Sequence, residues 1–245
     1  RIILLFGGSF NPPHLAHFEL VHAALSALKL KHCEMIPSGN PWQKPHVVPV
    51  QHRLAMLELA VHDDAQRWQN LNPTTPYPIN INPIETLSHQ ASYTIDTLSQ
   101  LRSLNPHATF IWLIGSDQLA NFHTWRDWQG ILKLAHIAVA QRAEREISSE
   151  QLSDGVLRTY YQKHHCNAQS NQWRTQTYGL FIEFTAPLMD VSSTQIRKQL
   201  QQHPDSPELD KCLTKNVQTY IFEQNLYQDL ILIYFYASHF HRCYV

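Results

Sequence analysis

The hydrophobic and polar positions of the chain alternate in blocks that predict strands and helices in turn. Ile2–Phe6 is a continuous apolar run, which is typical of a buried strand. From about His14 to Leu28, apolar residues recur at three- and four-residue steps, as one face of a helix requires. That face comprises Leu15, Phe18, Val21, Ala24, Leu25 and Leu28. A short strand over Cys33–Pro37 follows, so the pattern predicts a βαβ unit with parallel strands and a right-handed crossover.

The alternation of strands and helices continues toward the C-terminal part of the chain. Helices are predicted after Ser92-Tyr93-Thr94 and over Val50–Val61, Ser192–Gln202 and Pro207–Asn225. The apolar side of the Val50–Val61 helix comprises Leu54, Leu57 and Val61. Further strands are predicted at Ile79–Ile81, Thr109–Ile114, Ile137–Ala140 and Leu180–Thr185. This order favours an α/β fold: a single doubly wound, Rossmann-like parallel sheet with helices on both faces and a small C-terminal helical part.

The composition is that of a soluble, folded protein with balanced charge. Hydrophobic residues make up 43% and aromatic residues 11% of the 245 residues, which excludes intrinsic disorder. Lys and Arg number 19 against 20 Asp and Glu, so no basic face and no nucleic-acid partner is expected. The Leu230–Ala237 run is too short to span a membrane, and the apolar start is too short for a secretory signal. Four separated cysteines favour free thiols, and we therefore expect a cytoplasmic protein without a membrane partner.

Two stretches fall outside the regular pattern. Ser148–Thr177 is polar and rich in Gln and His, and we interpret it as a surface excursion within one domain. Asp229–Val245 is an apolar, His-containing extension to which no function is assigned. His164-His165-Cys166 and His239-x-His241-x-Cys243 contain metal-ligand residue types but lack the paired spacing of a structural zinc site. No protein metal site is therefore predicted.

The segment Gly7–His17 contains the clearest candidate chemistry. Gly7 and Gly8 end the first strand, where backbone without side chains can approach a ligand closely, and the N-terminus of the next helix favours anions. His14 and His17 are three residues apart in the first turns of that helix, so both side chains lie on one face. A helix-capping turn with two incidental histidines is the simpler interpretation. The position directly after the first strand favours a phosphate site instead.

Val191–Lys198 is a second candidate phosphate-binding segment. The hydroxyl residues Ser192 to Thr194 stand at a helix start, where they cap backbone N–H groups and donate to phosphate oxygens. Arg197 follows in the first turns, and its planar guanidinium can bind a phosphate through two hydrogen bonds. Alone, the segment is simply a good helix N-terminus. Its occurrence together with Gly7–His17 favours a nucleotide-phosphate site.

The two segments resemble the (H/T)-x-G-H and S-[ST]-T-x-I-R signatures of the nucleotidyltransferase superfamily of adenylyltransferases, with Ala16 in the place of the usual glycine. Other segments occur in the order of the same family: Ile36–Lys44, His52–Leu57, Ser92–Leu98, Gly115-Ser116-Asp117 and Phe122-His123-Thr124-Trp125. The chain is thus similar to bacterial nicotinate-nucleotide adenylyltransferases, and residues 1–228 are expected to form the nucleotidyltransferase domain. A second position departs from the family, because Ser88 stands where members often carry an arginine.

The resemblance implies a role for each matching residue. ATP would contact Gly7, Gly8, Ser9, Phe10, Gly115 and Asp117. The catalytic groups that hold its phosphates would be His14, His17, Lys44 and Arg197, with Ser192 and Ser193 beside them. The pyridine nucleotide would contact Tyr93, Thr94, Trp125 and Arg142, with the Trp125 indole stacked on the pyridine ring.

The resemblance also implies the reaction, in which ATP and nicotinate mononucleotide give deamido-NAD and pyrophosphate in NAD biosynthesis. Mg²⁺ would be bound through the ATP phosphates. The partners would be these two substrates, and a homo-oligomer stays open. Nicotinamide mononucleotide and pantetheine phosphate stay open as alternative acceptors, although Trp125 and the Ser92-Tyr93-Thr94 segment favour a pyridine nucleotide. A non-catalytic module that binds adenine nucleotide is a further alternative, which the intact His14, His17 and Arg197 disfavour.

Overall fold

A parallel sheet organises the computed structural model, which describes residues 1–40, 47–88, 90–142, 147–187 and 189–228. Within these residues, seven strands pair in the order β3-β2-β1-β4-β5-β7-β6, and each neighbouring pair is parallel. The strands are β1 (Ile2–Gly8), β2 (Cys33–Pro37), β3 (Ile79–Ile81), β4 (Thr109–Gly115), β5 (His136–Arg142), β6 (His165–Asn167) and β7 (Phe181–Ala186). The predicted doubly wound α/β fold is confirmed.

Helices cover both faces of this sheet. They are α1 (Leu15–Leu28), α2 (Val50–Leu71), α3 (Thr94–Leu104), α4 (Ser116–Ala120), α5 (Trp128–Ile131), α6 (Gly155–His164), α7 (Gln172–Thr175), α8 (Ser193–Gln202) and α9 (Lys215–Glu223). Helices α1, α2, α8 and α9 pack on one face, and α3, α4, α5 and α6 pack on the other. Short 3₁₀ turns occur at Ile84–Leu87, Phe122–Thr124, Ser149–Gln151 and Pro207–Lys211. Within the described ranges, no helix combines the length and apolarity that a membrane span requires.

The two hydrophobic cores explain why the central strands are almost continuously apolar. In β1, Leu4 and Phe6 point into the core under α1 and α2, whereas Ile3 and Leu5 point into the core on the opposite face. Successive side chains of a strand face opposite ways, so a strand buried on both faces has no polar position in its interior. The carboxyl ends of β1 and β4 are neighbours at the point where the strand order reverses, which is where open α/β sheets bind ligands.

Helix α2 differs from its prediction in both length and orientation. It continues to Leu71, ten residues past Val61, because the polar residues after Asp64 face solvent without interrupting the helix. Its buried positions are Arg53, Met56, Leu57, Ala60 and Asp64. Leu54 and Val61 are only half-buried, so the predicted apolar side was partly wrong. The buried face includes two charged residues whose hydrogen bonds compensate for the loss of water.

The single helix predicted over Pro207–Asn225 is wrong. The chain instead forms a 3₁₀ turn at Pro207–Lys211 and then α9, with a break around Cys212. In that break, the Cys212 carbonyl accepts a hydrogen bond from the backbone N–H of Leu15 at 2.8 Å. The interruption therefore satisfies one of the N–H groups that the start of α1 leaves without an intrahelical partner.

The surface excursion expected at Ser148–Thr177 is also wrong, because this stretch is part of the sheet and of the core. It contributes α6, α7 and the edge strand β6, which pairs with β7. Leu157, Tyr161 and Trp173 are buried. Its polar composition reflects the exposed edge strand and the solvent sides of two short helices. The predicted extension Asp229–Val245, with its His239, His241 and Cys243, lies outside the described residues.

Candidate active site

A cleft of about 840 Å³ opens at the carboxyl ends of β1, β4 and β5. It is closed on one side by the first turns of α1 and on another by the first turns of α8. The structure brings together here most of the predicted site residues, namely Gly7, Gly8, Ser9, Phe10, His14, His17, Gly115, Asp117, Arg142, Ser192, Ser193 and Arg197. Segments far apart in the sequence thus meet where the topology predicts a ligand site.

Close packing shapes the turn between β1 and α1. A Cβ atom on Gly7 would collide with the indole of Trp112, so only glycine fits at the end of this strand. Phe10 adopts a left-handed backbone with φ of 46°, and its ring is buried against Phe6 and His17. The side-chain oxygen of Asn11 accepts hydrogen bonds from the Val48 N–H (3.3 Å) and the Tyr227 hydroxyl (2.7 Å). The turn is therefore tied to both the β2–α2 connection and the C-terminal end of the described chain.

The two histidines form a stacked pair at the start of α1. Their ring centroids lie 3.6 Å apart with 20° between the planes, which confirms that both occupy one face of the helix. The backbone N–H of His14 donates to Nδ1 of His17 at 3.0 Å. Because that nitrogen accepts a hydrogen bond, the neutral His17 ring carries its proton on Nε2.

His14 is the more buried of the pair. Burial lowers its pKa from 6.5 to about 4, so the ring is neutral near pH 7. Its Nδ1 atom is buried and makes no hydrogen bond within the described part of the chain. Two stacked rings at this distance would repel each other if both were charged. The neutral His14 ring therefore contributes hydrogen bonding to the cleft rather than positive charge.

The N-terminus of α8 contacts the β1–α1 turn directly. Ser192 caps the helix: its hydroxyl accepts from the Gln195 N–H at 3.2 Å. Ser193 donates its hydroxyl to the Pro12 carbonyl (3.1 Å), and Nη1 of Arg197 donates to the Asn11 carbonyl (2.8 Å). The two predicted phosphate-binding segments are thus joined to each other by hydrogen bonds. Thr194 and Lys198 also line the cleft and belong to the same segment, Val191–Lys198.

The carboxyl ends of β4 and β5 form the opposite wall. Asp117, in the first turn of α4, and Arg142, at the end of β5, both line the cleft. Nη2 of Arg142 donates to the carboxylate of Asp190 at 3.0 Å, and both side chains are exposed. Asp190 was not predicted, since an isolated aspartate in a loop has no distinguishing sequence signal. This ion pair links β5 to the segment that leads into α8.

The residues expected on the acceptor side divide into two groups. Tyr93, Thr94 and Trp125 do not line this cleft, and they lie at the ends of α3 and of the Phe122–Thr124 turn. The guanidinium of Arg126 lies 4.7 Å from the Tyr93 ring centroid, so the Tyr93 and Trp125 segments are adjacent. Arg142 lies instead in the cleft itself. The predicted phosphate ligand Lys44 falls outside the described residues.

Arg53 is a buried residue near the cleft for which no role was predicted, although it lies in the family-like segment His52–Leu57. Its side chain is 1% exposed and donates to backbone carbonyls at the ends of β1 and β2, Ser9 and Ser38 among them. A signal was present, because an arginine in register with Met56, Leu57 and Ala60 breaks the apolar face of a helix.

The glycine turn, the histidine pair and the hydroxyl-rich start of α8 meet at one cleft, as the resemblance to nucleotidyltransferases implies. The model of the cytidylyltransferase-like family matches residues 5–199. A relative from Bordetella petrii, named as a probable nicotinate-nucleotide adenylyltransferase, is 33% identical over 225 residues, covering 91% of this chain and 97% of the relative. One of the same name from Herminiimonas arsenicoxydans is 34% identical over 233 residues, covering 94% and 98%. The chain therefore belongs to the cytidylyltransferase-like family and, within it, to the nicotinate-nucleotide adenylyltransferases, as predicted.

A solved structure has the same fold. The Plasmodium falciparum nicotinic acid mononucleotide adenylyltransferase, complexed with NaAD, superposes with a TM-score of 0.67 and 21% sequence identity. The match covers 93% of this chain and 97% of that protein. At this identity the likeness establishes the architecture.

Proposed function

We propose that this chain transfers the AMP part of ATP to nicotinate mononucleotide, giving deamido-NAD and pyrophosphate. The observation that supports it most is the direct contact between the two phosphate-binding segments, in which Arg197 donates to the Asn11 carbonyl at 2.8 Å. That contact places the α8 hydroxyls and cations beside His14 and His17 in one cleft. The family to which the chain belongs supports the choice of ATP and a mononucleotide as substrates.

The chemistry needs positioning rather than an activated nucleophile. A 5′-phosphate oxygen of the mononucleotide forms a new bond to the α-phosphorus of ATP, while the bond from that phosphorus to the pyrophosphate oxygen breaks. The attacking oxygen is already ionised at neutral pH, so no general base is required. The rate gain comes from aligning the two reacting atoms and from stabilising the charge that develops on the α-phosphate and on pyrophosphate.

Neutral and charged hydrogen-bond donors together stabilise the phosphate charge in the proposed site. Nε2–H of His17 and the neutral His14 ring supply hydrogen bonds to phosphate oxygens. Ring stacking holds the two side chains together, and the hydrogen bond from the His14 N–H to His17 Nδ1 leaves the His17 proton on Nε2. Arg197 and Lys198 supply the positive charge from α8. The glycine turn allows backbone N–H groups to approach the phosphates. Lys44 is proposed to add a further cation, as the family resemblance implies.

The donor set of the cleft fits a magnesium ion that arrives with ATP. Among the residues the structure describes, no group of three or more His, Cys, Asp or Glu side chains converges. One carboxylate, that of Asp117, lines the cleft. Mg²⁺ keeps most of its ligands as waters and phosphate oxygens, so a site with one carboxylate suits it. When bound, the ion would neutralise charge on the triphosphate, and Asp117 would be its protein-side neighbour.

The acceptor side is proposed to lie between Arg142 and the Tyr93–Trp125 group. Arg142 would meet the nicotinate carboxylate, since a buried carboxylate without a partner is costly. Its present partner is Asp190, which the substrate carboxylate would have to displace. Tyr93, Thr94 and Trp125 would receive the pyridine ring. We assign residues 1–228 to the transferase domain. Because its substrates are water-soluble, we expect the protein to act in the cytoplasm.

A pyrophosphate-release assay tests the proposal. ATP is supplied with nicotinate mononucleotide, nicotinamide mononucleotide or pantetheine phosphate, each at the same concentration. We expect turnover with the first and at least tenfold less with the other two. Equal rates with the two mononucleotides would refute the preference for the acid, and release with pantetheine phosphate alone would refute the pyridine-nucleotide assignment.

A further inference from the structure

Arg53 connects backbone from three segments around the cleft. It is the fourth residue of α2, and its guanidinium group is buried. Nε donates to the Val48 carbonyl at 3.0 Å, and Nη1 donates to the Ser9 carbonyl at 2.9 Å. Nη1 also donates to the Ser38 carbonyl and Nη2 to the Gly39 carbonyl, each at 2.6 Å. One side chain thus holds the phosphate-binding turn, the end of β2 and the start of α2 together.

The hydrogen-bond network continues from Gly39 to the acceptor side. The Gly39 N–H donates to the hydroxyl of Ser92 at 3.1 Å, and the Ser92 N–H donates to the Asn40 carbonyl at 3.1 Å. The half-buried Glu85 side chain accepts from the Thr97 hydroxyl at 2.6 Å, which ties the Ile84–Leu87 turn to α3, the helix that follows Ser92. Ser92 directly precedes Tyr93 and Thr94. The backbone that carries the proposed acceptor residues is therefore bonded to the N–H of Gly39 and the carbonyl of Asn40, and Arg53 holds the adjoining Gly39 carbonyl.

We propose that Arg53 is a positioning residue that sets the distance between the phosphate-binding turn and the acceptor-side segment. The inference rests on the proposed function, because it concerns the alignment of the two substrates of that reaction. An arginine suits the task because its planar fork presents five donors in fixed directions, whereas a lysine presents three on one atom. Misplacement of reacting atoms by about 1 Å can cost roughly 100-fold in rate. Arg53 thus acts through Ser9 and Gly39 without touching substrate.

The chain offers a matched control at the opposite end of the sheet. Arg102 also donates to backbone carbonyls, including those of Pro106 at 3.1 Å and Leu134 at 2.9 Å, and its guanidinium lies 4.7 Å from the Phe110 ring centroid. These residues precede or begin β4 and β5, away from the cleft. Arg53→Lys and Arg102→Lys each replace a carbonyl-binding fork with one ammonium group, so both should lower Tm. Only the first should change the geometry of the site.

The experiment separates positioning from binding and from stability. Pyrophosphate release gives kcat and KM well below the Tm of both variants, and calorimetry gives Kd for a non-hydrolysable ATP analogue and for deamido-NAD, which spans both sides. For Arg53→Lys we expect kcat to fall about 10- to 100-fold and the Kd of deamido-NAD to rise about tenfold, with the Kd of the ATP analogue within about threefold of wild type. Arg102→Lys should change none of these values. Equal kcat in the two variants, or equal losses of both affinities in Arg53→Lys, overturns the proposal.

Two further arms keep the result decisive. If Arg53→Lys does not fold, Ser92→Ala removes the next hydrogen bond of the same network; it should lower kcat and leave the Kd of the ATP analogue unchanged, and an unchanged kcat overturns the proposal. If the wild type binds deamido-NAD but turns over no mononucleotide, the proposed function fails, and the Kd comparison still decides the role of Arg53. If the wild type does not bind deamido-NAD, both proposals fail.

Discussion

The buried ring of His14 should make the protein sensitive to acid. The side chain lies in the cleft with 6% of the residue exposed, and burial lowers its pKa from 6.5 to about 4. Between these two values the unfolded chain binds a proton that the folded chain does not bind. Stability from this group is therefore present above pH 6.5 and is lost as the pH falls toward 4.

The size of the effect follows from the pKa difference. One pKa unit corresponds to about 1.36 kcal/mol, so this group should remove about 2 kcal/mol of the unfolding free energy by pH 5 and about 3 kcal/mol by pH 4. Such a loss is a large fraction of the total stability of an ordinary domain.

Urea unfolding of the wild type and of His14→Gln, measured from pH 7 to pH 4, checks this reasoning. Glutamine keeps a polar side chain but does not titrate, so the variant should lose less stability than the wild type as the pH falls. The difference between the two should change by about 3 kcal/mol over the range. His107→Gln, at an exposed loop position, controls for the substitution itself. A wild-type-to-variant difference that stays constant with pH would refute the assigned environment of His14.

Three other changes test separate parts of the structure. Arg197→Ala should lower kcat about 10²–10³-fold, because one donor to developing phosphate charge is lost. Steady-state pyrophosphate release measures kcat. Retention of more than half of the wild-type kcat would contradict the role assigned to Arg197. Trp173→Ala should cost about 3–5 kcal/mol in urea unfolding, since a fully buried indole is removed from the core; a loss below 1 kcal/mol would mean that the Ser148–Thr177 stretch is peripheral after all. Asp190→Asn should lower KM for nicotinate mononucleotide several-fold, because Arg142 is released from its carboxylate partner. The KM for nicotinamide mononucleotide should stay unchanged. Equal shifts in both KM values would refute binding of the substrate carboxylate by Arg142.

Much of the fold was predictable because burial on both sides of a parallel sheet leaves a clear pattern. The bounds of β2 and β3 match the prediction, and the apolar run Thr109–Ile114 is β4 short of its final glycine. The end of α2 was not predictable from apolar spacing, since its last turns face solvent. The break at Cys212 was not predictable for another reason. The Cys212 carbonyl accepts a hydrogen bond from the Leu15 N–H in α1, which lies almost two hundred residues earlier.

The candidate site was predictable where its chemistry is local in the sequence. The glycine turn with His14 and His17, and the hydroxyl-rich start of α8 with Arg197, each form within a dozen residues. Arg53 and Asp190 were missed because their partners are backbone carbonyls and a side chain brought near only by the fold. Periodicity alone places an arginine on a helix face but cannot show which distant carbonyls accept its hydrogen bonds.

The contacts that hold the β1–α1 turn come largely from the other end of the chain. Cys212 accepts from Leu15, Arg197 donates to the Asn11 carbonyl, and Tyr227 donates to the Asn11 side chain. Such long-range contacts are slow to form, because bringing distant segments together costs loop-closure entropy. A chain that is still being synthesised has its glycine turn and both histidines from the outset, yet lacks the residues that fix them. We therefore expect ATP binding to arise only after synthesis has passed Tyr227, as a property of the finished chain rather than of its N-terminal half.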